Sequence, residues 1–237
     1  MKIAAAQLTC VPADIAANVR TVVELAARAK EAGAELVVLP ELVLTGYELG
    51  ALAADPGLWT GPDDPRLDPV RATGVATVVN CAAPSDDRRP WLSSHVYGPD
   101  GELLTTYAKQ HLYAQERELF RPGGRDGRFE LGGIRFALAT CYDNHFPELT
   151  GRGVSDCCRV HLASSLYGTG DGVRERAELY PAMAKATGMY VLLANHVGPA
   201  GPWTGCGGAA VWSPDGTPLA EADSSTPGVV VADVPLP

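Results

Sequence analysis

Three residues able to take part in covalent chemistry stand directly after apolar segments. Glu41 follows Leu36-Val37-Val38-Leu39-Pro40, Lys109 follows Leu103-Leu104-Thr105-Thr106-Tyr107-Ala108, and Cys141 follows Ile134-Arg135-Phe136-Ala137-Leu138-Ala139-Thr140. A thiol, a carboxylate and an ammonium are the parts of acyl transfer to sulfur: a nucleophile, a proton acceptor and a fixed positive charge. A free cysteine with a pKa near ~8.5 is only a few per cent thiolate at neutral pH, so a partner that takes its proton matters. Strand ends are where a rigid sheet holds side chains at a cleft. Spacing alone leaves a second reading open, in which each strand merely ends in a polar residue that meets solvent.

The elements that would position these residues alternate between strand and helix. Lys2–Thr9 reads as a buried strand. Asp14 caps a helix that runs to about Lys30 and stops at Gly33, with Ile15, Val19, Val22, Val23, Ala26 and Ala29 at helical spacing. Leu36–Leu39 is a wholly apolar run, as in a central strand covered on both faces. Ala54–Asp68 is rich in Pro, Gly and Asp and reads as a loop. Gly74–Asn80 and Trp91–Tyr97 read as strands, and Pro99-Asp100-Gly101 turns the second into Leu103–Tyr107. Arg121–Gly127 reads as loop. Gly132-Gly133 joins Phe129–Leu131 to Ile134–Thr140 as a hairpin. Val160–Ala163 is a short strand, Ser164–Gly172 a loop, and Val173–Thr187 a helix kinked or divided by Pro181. Tyr190–Asn195, Gly208–Trp212, Leu219–Glu221 and Val229–Val234 close the chain as strands. No linker, repeat or low-complexity tract interrupts this order, so a single α/β domain over residues 1–237 is expected.

Composition narrows the function classes. The 237 residues are 46 % hydrophobic and 20 % charged, enough for a sizeable core without disulfide staples. Nineteen Lys and Arg against 28 Asp and Glu give a net charge of −9, and the close basic pairs have acidic neighbours. Nucleic acid and anionic membranes are poor partners for such a surface. The most apolar run, Leu36–Leu44, is broken by Pro40 and Glu41 and is too short for a membrane span. The first eight residues make a better strand than signal peptide, and a cytoplasmic location is expected. Six cysteines without a C-x-x-C read as reduced thiols, and the adjacent Cys157 and Cys158 with His161 make a poor zinc set.

Three segments carry a resemblance. Leu39-Pro40-Glu41-Leu42 with Thr45-Gly46-Tyr47, Tyr107-Ala108-Lys109-Gln110-His111-Leu112, and Thr140-Cys141-Tyr142-Asp143-Asn144-His145-Phe146-Pro147-Glu148-Leu149 resemble, in order and spacing, the signature segments of the nitrilase (carbon–nitrogen hydrolase) superfamily. Ile3-Ala4-Ala5-Ala6-Gln7, Leu193-Ala194-Asn195-His196-Val197-Gly198 and Trp212-Ser213-Pro214-Asp215-Gly216 are similar to that family too. The resemblance implies a four-layer α-β-β-α sandwich of the nitrilase type and a Glu–Lys–Cys triad, with Glu41 as general base, Lys109 as oxyanion stabiliser and Cys141 as nucleophile. It implies a fourth residue, Glu116, four positions ahead of Phe120, with Glu118 as competitor. The backbone N–H of Tyr142 is the second oxyanion donor on this reading. Neither metal nor organic cofactor is required.

Among the remaining residues, His145 is a specificity candidate, and Ser164, Ser165 and Tyr167 follow a strand that ends at the family's pocket, so they are expected to bind substrate. Asp143 and His111 read as structural; Tyr47 and Tyr113 either line the pocket or pack. Ala108 and Ala209 depart from the family pattern, which often has Arg and Ser there. The resemblance implies a thiol amidohydrolase acting on a small linear amide or carbamoyl compound through a Cys thioester. A nitrilase acting on a nitrile is the runner-up, and a non-catalytic binding or assembly protein retaining the fold is the rival of another class. A homodimer or larger homo-oligomer is implied, with Pro147–Gly151 and Val173–Thr187, including Tyr180 and Met183, as contact faces.

Overall fold

Alternation along the first strand, β1 (Lys2–Leu8), decides the architecture of the computed structural model, which describes residues 1–235. Ile3 and Ala5 enter one core, whereas Ala4, Ala6 and Leu8 enter another. That two-residue period puts successive side chains on opposite faces of the sheet. The outer core is closed by α1 (Ile15–Glu31), which buries Ile15, Val19, Val22, Leu25, Ala26 and Ala29 along one stripe. Full burial of an aliphatic side chain of this size contributes about 1.5–3 kcal/mol. The Asp14 side chain accepts from Ala17 N at 2.9 Å and starts that helix.

The chain continues through β2 (Leu36–Val38), α2 (Leu49–Ala54), α3 (Asp68–Arg71), β3 (Ala76–Ala83), β4 (Trp91–Tyr97), β5 (Leu103–Ala108) and α4 (Glu116–Leu119). Then come β6 (Gly127–Leu131), β7 (Ile134–Thr140), α5 (Pro147–Ser155), β8 (Val160–Ser165), α6 (Asp171–Thr187) and β9 (Tyr190–Ala200). The strands β10 (Trp203–Cys206), β11 (Ala210–Trp212), β12 (Pro218–Glu221) and β13 (Gly228–Asp233) complete it. The strand order is β5-β4-β3-β2-β1-β9-β8-β7-β6.

Only Gln7 and Leu8 of β1 pair with β9, so the sheet is hinged there into two halves. The halves lie face to face over one shared core. Ile3, Leu36, Val38, Val78 and Tyr107 come from one half; Phe136, Leu138, Leu162, Leu192 and Val211 come from the other. Helix α6 covers the second half from outside through Tyr180 and Ala184, which pack on Ala163, Leu193 and Trp212. The expected four layers are present. The hinge explains Gln7, a polar residue in an apolar strand: its Oε1 accepts from Ala209 N at 3.0 Å, and its Nε2 donates to Asp223 O and Thr226 O at 2.9 and 2.7 Å. A buried amide so paired carries no desolvation penalty of an orphan.

Several expectations are corrected. Helix α6 starts at Asp171 and runs on through Pro181 without dividing. Strand β8 extends to Ser165, two residues beyond its expected end, because Ser164 and Ser165 pair with Ala194 and Asn195 of β9. Strand β9 continues to Ala200 and turns back into β10, a hairpin not expected from the sequence. Tyr180 and Met183 are buried, and Tyr180 stacks on Trp212 at 5.5 Å, so neither is available as the subunit contact expected of them.

Candidate active site

The strand ends of the two halves meet at one place. Glu41 lies just beyond β2, Lys109 follows β5, and Cys141 follows β7. Glu41 and Lys109 are fully buried, as is all but 1 % of Glu116. The Lys109 Nζ donates to Glu41 Oε1 at 2.7 Å and to Glu116 Oε1 at 2.8 Å. An ammonium has three N–H donors, so one is left for a ligand. Glu116 is held in turn by the Tyr47 hydroxyl at 2.6 Å and by Tyr113 N at 2.8 Å. Glu118, its competitor in the sequence, faces solvent. Of the two, Glu116 is the one that touches Lys109.

Burial pushes the Glu41 carboxyl up to about 7, against the pull of Lys109 and with the push of Glu116. Burial alone would lower the Lys109 ammonium, but the adjoining Glu41 and Glu116 carboxylates outweigh it and raise it, so Lys109 stays charged. Burial also raises the Cys141 thiol well above its usual range, and the Glu41 charge adds to this while Lys109 opposes it. The resting thiol therefore holds its proton. Glu41 Oε2 is buried and has no hydrogen-bond partner among the described residues.

The turns that carry Glu41 and Cys141 both have unusual backbone. Cys141 has φ +45° and Leu42, directly after Glu41, has φ +49°. Such values are uncommon for residues with a Cβ and gather where surrounding structure over-determines the chain. That surrounding structure is visible. The Asn80 Oδ1 accepts from Leu42 N at 2.8 Å, and its Nδ2 donates to Thr140 Oγ1 at 3.2 Å and to Ser94 Oγ at 3.0 Å. One amide thus ties the turn after Glu41 to the residue before Cys141. Asp143 accepts from Thr140 N at 3.0 Å, Tyr107 Oη at 2.7 Å and His111 N at 2.8 Å, clamping the Cys141 turn to the chain around Lys109. Asp143 and His111 are structural, as expected; the His111 ring stacks on Phe146 at 3.6 Å.

Two buried histidines complete the frame. The His196 Nε2–H donates to Glu41 O at 2.5 Å, and the His161 Nε2–H to Asn144 Oδ1 at 2.8 Å. Asn144 Nδ2 then donates to Cys141 O at 2.8 Å. Burial pushes both imidazoles down to about 4, so each is neutral with one N–H to give. Sequence reading missed Asn80 altogether and gave His196 no role, although His196 stood inside a quoted segment.

A cavity of about 410 Å³ opens above this floor. Glu41, Glu116 and Cys141 line it below; Tyr47, Tyr142, His145 and Tyr167 stand in its wall. Ser164 and Ser165 do not, in contrast to expectation. They belong to β8, both are buried, and Ser165 Oγ bonds the Tyr180 hydroxyl at 3.1 Å; the wall begins one residue later, at Leu166. The Tyr142 N–H has no partner among the described residues, as expected of a donor in the first turn of a 3₁₀ helix.

The carbon–nitrogen hydrolase family matches residues 2–237. The chain belongs to the carbon–nitrogen hydrolase family. An amidase from Nesterenkonia sp. AN1, described as of the nitrilase superfamily, shares its fold. A Glu-to-Gln variant of that amidase, with acrylamide added to its active-site cysteine, is 31 % identical at TM-score 0.90, covering 99 % of this chain and 93 % of that one. A complex of the same enzyme with butyramide is 30 % identical at TM-score 0.91, covering 99 % and 91 %. A hydrolase of Pseudomonas protegens is 29 % identical over 94 % of this chain and 79 % of its own. An omega-amidase of Xenopus tropicalis is 26 % identical over 92 % and 83 %. This carbon–nitrogen hydrolase is an α/β enzyme of the amidase type, in a family whose amidases act on small molecules. No helix among the described residues is long and apolar enough to cross a membrane.

Proposed function

We propose that the enzyme hydrolyses the amide bond of a small linear amide through a thioester on Cys141. The observation that carries this reading is the buried Lys109 ammonium bonded to Glu41 and Glu116, the two carboxylates that line the floor of the cavity together with Cys141. Cys141 Sγ attacks the amide carbon while Glu41 takes the thiol proton. The carbonyl oxygen gains charge and is met by the third N–H of Lys109 and by Tyr142 N–H. Each such donor is worth about 10²–10³-fold in rate. Collapse expels the amine, which leaves with the proton from Glu41, and a thioester remains. Water then attacks the thioester, its proton passes to Glu41, and the acid departs with the thiol restored.

Glu116 is a positioning residue on this reading. It fixes the Lys109 ammonium from the side opposite Glu41, and the Tyr47 hydroxyl fixes Glu116. Ammonia release from butyramide tests the proposal, with nitriles and carbamoyl amines in the same panel. Release by wild type, none by Cys141→Ala, and an acyl adduct on the Cys141 peptide by mass spectrometry are expected. Ammonia release that survives Cys141→Ala sinks it.

We propose that the chain self-associates through the outer surfaces of α5 and α6, where Val154, beyond the expected Pro147–Gly151 face, and Val173 are exposed. Light scattering that shows a monomer at micromolar concentration removes this part.

A further inference from the structure

The charges around the cavity are one-sided. Glu41 and Glu116 lie at its floor; Asp171 and Glu175, from the first turns of α6, stand at its mouth. Among the described residues, no Lys or Arg lines it. Lys109 has two of its three N–H groups committed to Glu41 and Glu116. His145, the basic side chain in the wall among the described residues, has its Nε2 at 2.9 Å from Glu175 Oε1. Arg174 lies 3.8 Å from Asp171 but outside the wall, with most of its side chain in solvent. The mouth also carries two aromatic rings, Tyr113 and Trp203, both partly exposed, beside Gly168, Thr169 and Gly172.

A carboxylate entering this cavity would lose water and find no cation free to replace it, because Lys109 is held by Glu41 and Glu116 and its third N–H meets the amide oxygen in the proposed reaction. It would also approach four carboxylates in a space with low-dielectric walls, where like charges repel more than in water. A neutral chain meets none of this, and its methylenes have rings to lie against. Discrimination by a repulsive group needs no contact with the accepted substrate.

We infer that the cavity selects amides whose acyl chain carries no negative charge, with Asp171 and Glu175 turning carboxylate-bearing amides away at the mouth. The inference deepens the proposed amidase reading and rests on it.

The test uses two alkylating probes of equal reach, neutral iodoacetamide and anionic iodoacetate. Cys157, exposed on the same molecule, is the internal control. Labelling rates at both cysteines are read by peptide mass spectrometry. The preference for iodoacetamide at Cys141 should exceed that at Cys157 by about tenfold or more. A smaller excess overturns the filter and leaves the amidase reading standing. Failure of both probes to label Cys141 overturns the two together. The double variant Asp171→Asn/Glu175→Gln should shrink the excess at Cys141; an unchanged excess would assign the filtering to the floor and overturn the role given to the mouth. In turnover, butyramide should exceed succinamate, its carboxylate-bearing counterpart, by about 100-fold in kcat/KM. A ratio under about tenfold overturns the inference.

Discussion

The floor and the mouth of the cavity are built differently. At the floor, Glu41, Lys109 and Glu116 are buried, and the backbone on either side of the reacting groups is tied by Asn80, Asp143, Asn144 and His196. At the mouth, Tyr113 is 45 % and Trp203 48 % exposed, and the His145–Glu175 pair is partly open to solvent. The floor supplies a fixed arrangement of charge, which catalysis needs before the substrate arrives. The mouth supplies surface that a change of substrate can alter without touching the reaction. On the proposed reading, chemistry and selectivity are written on separate elements: strand ends and α4 below, the α6 start and the β9–β10 hairpin above.

The sharpest way to break this division is at Glu41. Glu41→Gln keeps the shape and removes the base, and kcat for amide hydrolysis should fall by about 10³-fold or more. An activity within tenfold of wild type would return the base role to another group. Glu116→Gln should lower kcat by about 10²-fold with little change in KM, since it acts through Lys109. A change confined to KM would make it a binding residue.

The pH profile reads the same floor without mutation. A base works only when deprotonated, and burial raises the Glu41 carboxyl to about 7. Activity should therefore fall as pH drops through about 7, well above the usual carboxylate range. A kcat/KM profile flat down to pH 5 contradicts this. Stability has its own acid limb. His161 and His196 are held neutral with pKa near 4 in the fold, against about 6.5 unfolded. The unfolded chain binds the extra protons, so stability is lost as pH falls from about 6.5 to about 4, by up to about 3 kcal/mol for each imidazole. Urea unfolding of wild type and His196→Gln across that window should show a shallower acid slope in the variant.

The smallest effects belong to the mouth. Trp203→Ala should change KM by about two- to fivefold and leave kcat near wild type, as for binding shared equally by substrate and transition state. A large loss of kcat would dissolve the contrast between the two regions.

The sequence made the floor legible and the frame invisible. Glu41, Lys109 and Cys141 stand at the ends of recognisable apolar strands inside family-like segments, and the structure brings them together. Glu116 needed geometry to separate it from Glu118, because both fall on one short turn. Asn80 gave no signal: a lone amide inside an apolar strand looks like any strand end, and its three partners lie 14, 38 and 60 residues away. Ser164 and Ser165 were misplaced because pairing with β9 extends β8 past the point where apolar residues stop. Tyr180 and Met183, expected at a subunit contact because the family resemblance implies one there, point at the sheet instead.

One pairing bears on how the chain is made. Strand β1 has β13 along its open side, Lys2 opposite Asp233 through Gln7 opposite Gly228. A ribosome delivers the first of these strands more than 200 residues before its neighbour. At ~5–20 residues per second, the alanine-rich edge of β1 waits roughly ten to forty seconds for its partner. An unpaired strand edge recruits other chains. Nascent molecules on a crowded polysome are therefore exposed to one another through β1, and yield should respond to slower initiation or to a holdase more than to any change at the cavity.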